Sequence, residues 1–217
     1  PVECVDFIIL SVDDILKAEF NTSLTAQNVH ILDPFVGTGT FITRLLQSGL
    51  IRPEDMERKY LNEIHCNEIV LLAYYIADVN IESVFHEIIR RKTYLPYSGI
   101  CLTDTFQLAE KRHNELFTEF FQDNSKRVKK QMATHVRVIV GNPPYSIGQK
   151  SANDNAQNLS YPYLDNRVSE TYAAKSSATL NKSLYDSYVK AFRWASDRIP
   201  KDAGGVVAFI SNGAWLD

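Results

Sequence analysis

Hydrophobic positions along this chain switch between two spacings. Residues 2–20 carry apolar side chains about 3.6 positions apart, which predicts a helix. Short apolar runs predict strands at 29–32, 100–103, 136–140 and 206–210, of which 136–140 is β-branched, and residues 63–69 are predicted as a further strand. Helical spacing between these runs predicts further helices at 41–46, 70–79, 109–121 and 184–199. Strands that alternate with helices predict an α/β fold, in which a mostly parallel sheet carries helices on both faces.

A polar residue stands at or just past the end of four predicted strands. These residues are Asp33, Glu68, Asp104 and Asn142. Ligands of parallel α/β sheets bind beyond the carboxyl ends of the strands. The sequence therefore predicts that the four side chains line one edge of the sheet.

Length and composition are those of an ordinary globular domain. The 217 residues, 45% of them hydrophobic and 23% charged, are enough for one core, so residues 1–217 are expected to form one domain. No apolar run reaches the ~18 residues of a membrane span and no signal peptide is recognisable, which predicts a cytoplasmic protein. Because the chain begins with Pro1 instead of Met, we expect it to be a processed chain or a part of a longer polypeptide.

Charge and cysteine content narrow the chemistry. The net charge of −3 is not typical of a protein that grips nucleic acid over a broad surface. The three cysteines suit a reducing compartment. Neither they nor the five histidines have a metal-binding spacing, so we expect no metal.

The first candidate motif is a glycine-containing turn directly after the strand at 29–32. It reads Asp33-Pro34-Phe35-Val36-Gly37-Thr38-Gly39-Thr40-Phe41. Gly37 and Gly39 would let the backbone approach a ligand closely, beside the free N–H groups of the next helix. A dinucleotide fingerprint needs a third glycine where this chain has Ile42, and a phosphate-binding loop needs a lysine that this turn lacks. The turn therefore predicts binding of an amino-acid moiety, with a purely structural glycine turn as the alternative.

Acidic and aromatic residues follow the next two strands. Glu68 could accept hydrogen bonds from both hydroxyls of a ribose. Asp104 could accept from an adenine amine, and the ring of Phe106 could stack on the same base. The alternatives are a surface glutamate at position 68 and a helix N-cap at Asp104.

The motif Asn142-Pro143-Pro144-Tyr145 follows the β-branched strand at 136–140 and has a specific chemical logic. The lone pair of an adenine amine is delocalised into the ring, which makes the nitrogen a poor nucleophile. The Asn142 side-chain oxygen and the Pro143 carbonyl could accept both N–H bonds and localise that lone pair. The prolines restrict the backbone around these acceptors, and Tyr145 offers a ring on which a base could stack. An X-Pro-Pro turn that leaves a strand is the structural alternative.

Residues 146–182 predict a long loop near the target site, because they are rich in Ser, Asn, Ala and Tyr and poor in aliphatic residues. Four basic residues in this loop could hold a DNA backbone: Lys150, Arg167, Lys175 and Lys182. A disordered excursion is the alternative.

The motifs together resemble the amino-methyltransferases that modify N6 of adenine or N4 of cytosine. The resemblance rests on DPFVGTGTF at 33–41, NEI at 67–69, TDTF at 103–106 and NPPY at 142–145, in the order of the gamma class. The amino end, PVECVDFII, is similar to a further cofactor motif of that class. Two segments, YSIGQKSANDNAQN at 145–158 and SLYDSYVKAFRWASDRI at 183–199, resemble the methyltransferase part of single-chain type ISP restriction–modification enzymes.

This resemblance implies a Rossmann-like fold that binds S-adenosylmethionine. Asp33, Gly37 and Gly39 would surround the methionine moiety, Glu68 the ribose, and Asp104 and Phe106 the adenine of the cofactor. Asn142, Pro143 and Tyr145 would hold a flipped-out adenine of double-stranded DNA. No covalent intermediate would be needed.

The resemblance also implies partners on the same polypeptide. A nuclease and a helicase-like translocase would precede this region, and a target-recognition domain would follow it. Two further strands of the family sheet and the aromatic residue that closes the target pocket would lie after Asp217. We therefore expect this chain by itself to be weak or inactive as an adenine-specific DNA methyltransferase.

Three other functions remain open at this point. An amide nitrogen poses the same chemical problem to an NPPY pocket, so the substrate could be a protein glutamine, or it could be RNA. A nicotinamide oxidoreductase is disfavoured by Ile42 and by the NPPY motif. The chain could also be a non-catalytic segment that couples a translocase to a recognition domain.

Overall fold

A computed structural model describes residues 1–110, 122–145, 160–175, 184–211 and 213. Seven α-helices lie in these ranges: α1 (Val2–Phe20), α2 (Thr40–Gln47), α3 (Pro53–Arg58), α4 (Leu71–Ile89), α5 (Gln122–Ala133), α6 (Pro162–Thr171) and α7 (Ser187–Arg198). Five strands lie there as well: β1 (His30–Asp33), β2 (Ile64–Glu68), β3 (Ile100–Leu102), β4 (Val136–Gly141) and β5 (Val206–Phe209). A π-helical turn covers Lys59–Glu63, and 3₁₀ turns cover Gln107–Ala109 and Ala173–Lys175.

The five strands form one parallel sheet in the order β3-β2-β1-β4-β5. Ile31 of β1 lies opposite Ile64 of β2 on one side and opposite Val138 of β4 on the other. The chain builds outward from β1 to β3 and then returns to add β4 on the opposite side. The direction of building therefore reverses between β1 and β4, which makes this the point where ligands of such sheets bind. The architecture is a Rossmann-like α/β fold.

Alternate residues of each strand face opposite layers of helices. Ile31 and Val138 pack into the larger core, which also contains buried residues of α1, α2 and α4. Leu32 and Ile139 point the other way, into a second core with residues of α6 and α7. Since both faces are covered, β1, β2 and β4 are buried along nearly their whole length, as is typical of parallel sheets. The prediction of helices on both faces is confirmed.

The predicted strands and most predicted helices are confirmed, with boundaries that differ by a few residues. The helix predicted at 70–79 continues to Ile89. The helix predicted at 109–121 falls almost entirely outside the described residues, while Ala109 ends a 3₁₀ turn. The helix α5, which follows at Gln122–Ala133, was not expected from the sequence.

The prediction of a loop over 146–182 is wrong for residues 162–171, which form α6. This helix buries only two aliphatic side chains, Leu164 and Val168, one turn apart. Two such residues in a polar tract are too few to produce a recognisable helical pattern. Residues 146–159 and 176–182 lie outside the described part.

Across the described ranges, no helix combines the length and apolar character that crossing a membrane requires.

Candidate functional site

A cavity of about 460 Å³ opens at the carboxyl ends of β1 and β4. Its volume is within the range of small-molecule sites. Residues from several parts of the chain line it. The amino end contributes Pro1, Val2 and Val5, and the segments after β4 and β5 contribute Asn142 and Ile210. The end of β1, the glycine turn and the start of α2 contribute Asp33, Phe35, Val36, Gly37, Thr38, Thr40 and Phe41. The glycine turn and the Asn-Pro-Pro-Tyr motif, distant in sequence, thus share one cavity.

The two predicted glycines have different surroundings. Gly37 has a φ of 55° and borders the cavity, and a Cβ built on it would meet no atom within 4 Å. Gly39, with a φ of 92°, starts α2 and lies against Ala77 and Ile81 of α4. Both positions favour glycine because side chains are strained at positive φ. Gly37 leaves open space beside the cavity, whereas Gly39 serves the packing of two helices.

Asp33 ends β1 and is 1% exposed. One carboxylate oxygen accepts a hydrogen bond from the Phe35 N–H at 3.0 Å. Burial raises the pKa of Asp33 to about 7, an effect that the Phe35 bond opposes and the negative charge of Glu68 reinforces. No described lysine or arginine forms an ion pair with this carboxylate. A cation in the cavity would therefore be stabilised by Asp33 and would favour its ionised form.

Glu68 at the end of β2 binds the glycine turn. Its carboxylate accepts backbone N–H bonds from Gly37 at 2.9 Å, from Ile69 at 2.9 Å and from Val70 at 2.8 Å. Burial raises its pKa, against the effect of these three bonds. A carboxylate has about four acceptor positions, so one stays available for a further donor. Glu68 does not line the cavity, and its predicted contact with a ribose stays a prediction.

Asp104 caps the short turn after β3. One oxygen accepts the Phe106 N–H at 2.9 Å, and the other accepts the Tyr161 hydroxyl at 2.8 Å. The bond from the Phe106 N–H is the contact expected from the structural alternative for Asp104, a helix cap. Phe106 is 5% exposed, with its ring centre 5.4 Å from that of Phe35 and 5.2 Å from that of Tyr161. Neither Asp104 nor Phe106 lines the cavity, so their predicted roles at a cofactor adenine stay predictions.

The loops after β1, β2 and β3 are joined to one another by hydrogen bonds. The Thr105 hydroxyl donates to the Pro34 carbonyl at 2.6 Å and accepts from the Asn67 amide at 3.2 Å. The Val36 N–H donates to the Asn67 carbonyl at 3.0 Å. Sequence reasoning missed these contacts, although Asn67 and Thr105 stand inside two of the quoted motifs. Tyr161 was missed as well, because it lies in the tract predicted as a loop.

The Asn142-Pro143-Pro144-Tyr145 segment leaves β4 at the cavity. Asn142 and Pro144 are exposed, and Pro143 is buried. The Tyr145 hydroxyl lies 3.1 Å from the Asn142 side-chain oxygen and 3.0 Å from the Ile210 carbonyl. Burial and the charge of Asp186 raise the pKa of Tyr145, so the hydroxyl keeps its proton at neutral pH. Asn142 and Gly37 border the same space, as the strand-end argument predicts for the two motifs.

The predicted DNA-backbone residues do not form one cluster among the described residues. The Arg167 guanidinium pairs with Asp197 at 2.8 Å, and Glu170 lies 3.7 Å away. Lys175 is exposed at the end of a 3₁₀ turn. Lys150 and Lys182 lie outside the described ranges. DNA contact by these residues stays a prediction.

Within the described ranges, the structure holds no group of three or more His, Cys, Asp and Glu side chains that could bind a metal ion.

Comparison with known proteins gives structural neighbours over the whole chain. No protein-family model and no curated protein matches the chain. A nuclease-deletion mutant of the type ISP restriction–modification enzyme LlaGI, in complex with a DNA substrate mimic, is 46% identical with a TM-score of 0.90. The ATP-dependent type ISP enzyme LlaBIII bound to DNA is also 46% identical with a TM-score of 0.90, and a DrdV–DNA complex is 41% identical with a TM-score of 0.89.

All of this chain is covered in each comparison, but it spans only 18%, 15% and 20% of those three chains. At these identities the likeness extends beyond the fold. The chain is therefore similar, from end to end, to one segment of much longer restriction–modification enzymes.

Proposed function

We propose that this chain is the methyltransferase segment of a restriction–modification enzyme, and that it transfers a methyl group from S-adenosylmethionine to N6 of adenine in DNA. The observation that carries the proposal is the shared cavity of about 460 Å³, which is lined both by the turn from Asp33 to Gly37 and by Asn142. A cofactor held by the first would be next to a base held by the second. The similarity to DNA-bound type ISP enzymes supports DNA as the substrate.

The residues of the glycine turn fit S-adenosylmethionine. This cofactor carries a sulfonium and an ammonium group, and Asp33 provides a buried carboxylate that has no cationic partner among the described residues. Gly37 leaves open space beside it, where a longer side chain would occupy the cavity. When bound, the cofactor would supply an electrophilic methyl group.

Asn142 and Pro143 would hold the amine that receives the methyl group. The Asn142 amide oxygen and the Pro143 carbonyl each accept one N–H bond of the amine, which localises the nitrogen lone pair. Catalysis then comes from positioning and from these two fixed acceptors. A base inside a duplex cannot reach such a pocket, so the adenine must be extruded from the helix.

The net charge of −3 means that this segment contributes little general affinity for phosphates. Regions of the same polypeptide that flank the segment would supply most of the binding to duplex DNA.

The test uses the full-length polypeptide with S-adenosylmethionine labelled in its methyl group. Unmethylated plasmid DNA, RNA and a glutamine-containing protein are offered in parallel, and labelled products are digested and identified by mass spectrometry. The expected product is N6-methyladenine in DNA alone. Methylated RNA or methylated glutamine would show that RNA or protein, and not DNA, is the substrate. Cofactor binding without any transfer would indicate a non-catalytic coupling segment.

Two variants separate cofactor binding from transfer. Asn142→Ala is expected to lower the transfer rate by about a hundredfold or more, while the calorimetric affinity for S-adenosylmethionine changes little. Asp33→Ala is expected to weaken that affinity by about tenfold or more, because a charged contact is lost. Asp202→Ala, which removes an exposed aspartate ahead of β5, is the matched control. An active Asn142→Ala enzyme would contradict the assignment of the acceptor.

A further inference from the structure

The Tyr145 hydroxyl has two oxygen neighbours but only one proton. It lies 3.0 Å from the Ile210 carbonyl and 3.1 Å from the Asn142 side-chain oxygen. A carbonyl can only accept a hydrogen bond, and a neutral phenol donates once while its oxygen can also accept. With two oxygen atoms facing it, the hydroxyl can donate to only one of them, and the other oxygen is left without a hydrogen bond from Tyr145.

Turning the Asn142 carboxamide by half a revolution removes this conflict. The oxygen and nitrogen of a carboxamide are nearly equivalent in shape, so the hydrogen-bond partners decide its orientation. With the NH₂ group toward Tyr145, Asn142 donates to the phenol oxygen and Tyr145 donates to Ile210. This arrangement makes two hydrogen bonds, whereas the opposite one makes a single bond and leaves one acceptor without a donor. The additional hydrogen bond is enough to favour one orientation.

The favoured orientation directs the Asn142 oxygen away from Tyr145. Asn142 borders the cavity, so an oxygen turned away from Tyr145 is free to accept from a ligand there. In the opposite orientation, the NH₂ group of Asn142 would face the NH₂ group of a target adenine, donor against donor. The hydroxyl thus selects between an accepting and a non-accepting Asn142.

The bonds that hold Tyr145 lead back to the sheet. The Ile210 N–H donates to the Gly141 carbonyl at 3.0 Å, and Phe209 pairs with Gly141 across β5 and β4. The Tyr145 ring also lies 6.0 Å from the ring of Tyr188 on α7. The phenol oxygen on which Asn142 depends is therefore linked through Ile210 to the backbone hydrogen bonds between β4 and β5.

We propose that Tyr145 is a positioning residue. Its hydroxyl donates to the Ile210 carbonyl, accepts from the NH₂ group of Asn142, and so directs the Asn142 oxygen toward the target amine. This inference rests on the proposed function. It assigns to the hydroxyl a role that is separate from any stacking of a base on the ring.

The test compares Tyr145→Phe with the wild type in the full-length polypeptide. The Phe ring keeps the stacking surface and loses only the hydroxyl. Under single turnover on unmethylated plasmid DNA, we expect the methyl-transfer rate to fall about tenfold, which corresponds to about 1.4 kcal/mol. The KM for S-adenosylmethionine, the Kd for DNA and the thermal midpoint are expected to stay within about twofold or a few degrees of the wild-type values. Tyr94→Phe, which removes a surface hydroxyl bonded to Glu82, is the matched control and is expected to be neutral.

A second background tests whether the hydroxyl acts through the amide. In Asn142→Asp, a carboxylate presents an acceptor oxygen in either orientation, so adding Tyr145→Phe is expected to cost less than about twofold.

Three results would overturn the inference. They are a wild-type rate for Tyr145→Phe, a lower rate accompanied by weaker DNA binding or a lower thermal midpoint, and an equal tenfold loss in the Asp background. Failure of the proposed function looks different, because the wild-type protein itself would then transfer no methyl group to DNA.

Discussion

At the scale of single residues, burial at a strand end changes the chemistry of Asp33. An aspartate in water has a pKa of about 3.9. In this protein, burial raises the pKa of Asp33 to about 7, although the Phe35 N–H bond works against that rise. The protein therefore holds a carboxylate whose charge is costly at neutral pH unless a cation shares the site.

Replacing Asp33 by Asn is expected to stabilise the protein only above the acidic range. Because the folded-state pKa of Asp33 is higher than the unfolded-state value, its contribution to stability is fully present below about pH 4 and is lost as the pH rises through about 7. The neutral Asn avoids this loss and can still accept the Phe35 bond. We expect the free energy of unfolding of Asp33→Asn to exceed the wild-type value by up to about 4 kcal/mol at pH 8, and to match it near pH 4.

Urea unfolding at the two pH values measures this difference. Asp202→Asn, in which an exposed carboxylate is neutralised, is the control and should behave as the wild type at both. An Asp33→Asn protein that gains nothing at pH 8 would contradict the account of the buried charge.

The placement of some individual residues could be predicted from the sequence, whereas other placements depend on contacts that a linear pattern does not contain. Asp33, Gly37 and Asn142 were expected at one strand edge, and they line one cavity. Glu68 and Asp104 were expected there too, but they bind backbone N–H groups and, for Asp104, the Tyr161 hydroxyl. The cap alternative for Asp104 anticipated its contact with Phe106. The donors from Gly37 and Tyr161 reach Glu68 and Asp104 only after the loops have folded, so side-chain type and spacing could not identify those two contacts.

At the scale of elements, the approach of β5 to β4 depends on a glycine. Gly205 stands directly before β5, and a Cβ built on it would lie 2.4 Å from the Arg137 carbonyl and about 3 Å from Ile199. Neither neighbour can move easily, because one is strand backbone and the other packs in the second core. A side chain at position 205 must therefore push β5 away from the sheet.

Gly205→Ala is expected to destabilise the protein by about 1–3 kcal/mol, the usual cost of overpacking. Thermal or urea unfolding would measure the loss. Gly213→Ala is the matched control, because a Cβ there meets no atom within 4 Å. Equal stability of the two variants would show that β5 accommodates the extra carbon. Since Ile210 follows β5, the proposed methyl transfer should fall in Gly205→Ala as well.

The elements that the sequence failed to predict share one property, a weak apolar stripe. α5 buries only Gln131, and α6 buries Leu164 and Val168.

The π-helical turn buries Lys59, whose ammonium donates to the Ala26 and Val29 carbonyls and pairs with Glu63. Burial lowers the pKa of Lys59 to about 8, against the opposing effect of Glu63. Charged side chains that are buried with partners look like surface residues in a sequence. The strands were easier to predict because their apolar runs end abruptly at polar residues.

At the scale of the whole molecule, the described surface carries an apolar face on the first half of α4. Leu72 is 70% exposed, Tyr75 55% and Val79 60%, at a spacing that puts them on one side of the helix. Further exposed apolar residues adjoin them: Ile69, Val70, Leu71 and Ile76. Contiguous apolar surface of this kind promotes association in water.

The 217-residue chain by itself is therefore expected to self-associate as its concentration rises. Introducing Leu72→Glu together with Val79→Lys should reduce this association, because charges interrupt the apolar face. Light scattering over a concentration series measures the average mass. Met132→Glu, which changes an isolated, 37% exposed residue of α5, is the control. Unchanged association in the double variant would mean that another surface drives it.

The tight junction between β1 and β4 has a consequence for how this protein can vary. A Cβ at position 141 would lie 2.7 Å from the Asp33 carboxylate, so the end of one central strand has room only for hydrogen while the other ends in an acid. More than a hundred residues separate the two positions along the chain. A side chain at 141 therefore requires the Asp33 carboxylate to move, so random mutagenesis should recover substitutions at 141 more often together with a smaller residue at 33. A designer who transplants the glycine turn to another scaffold should carry both residues.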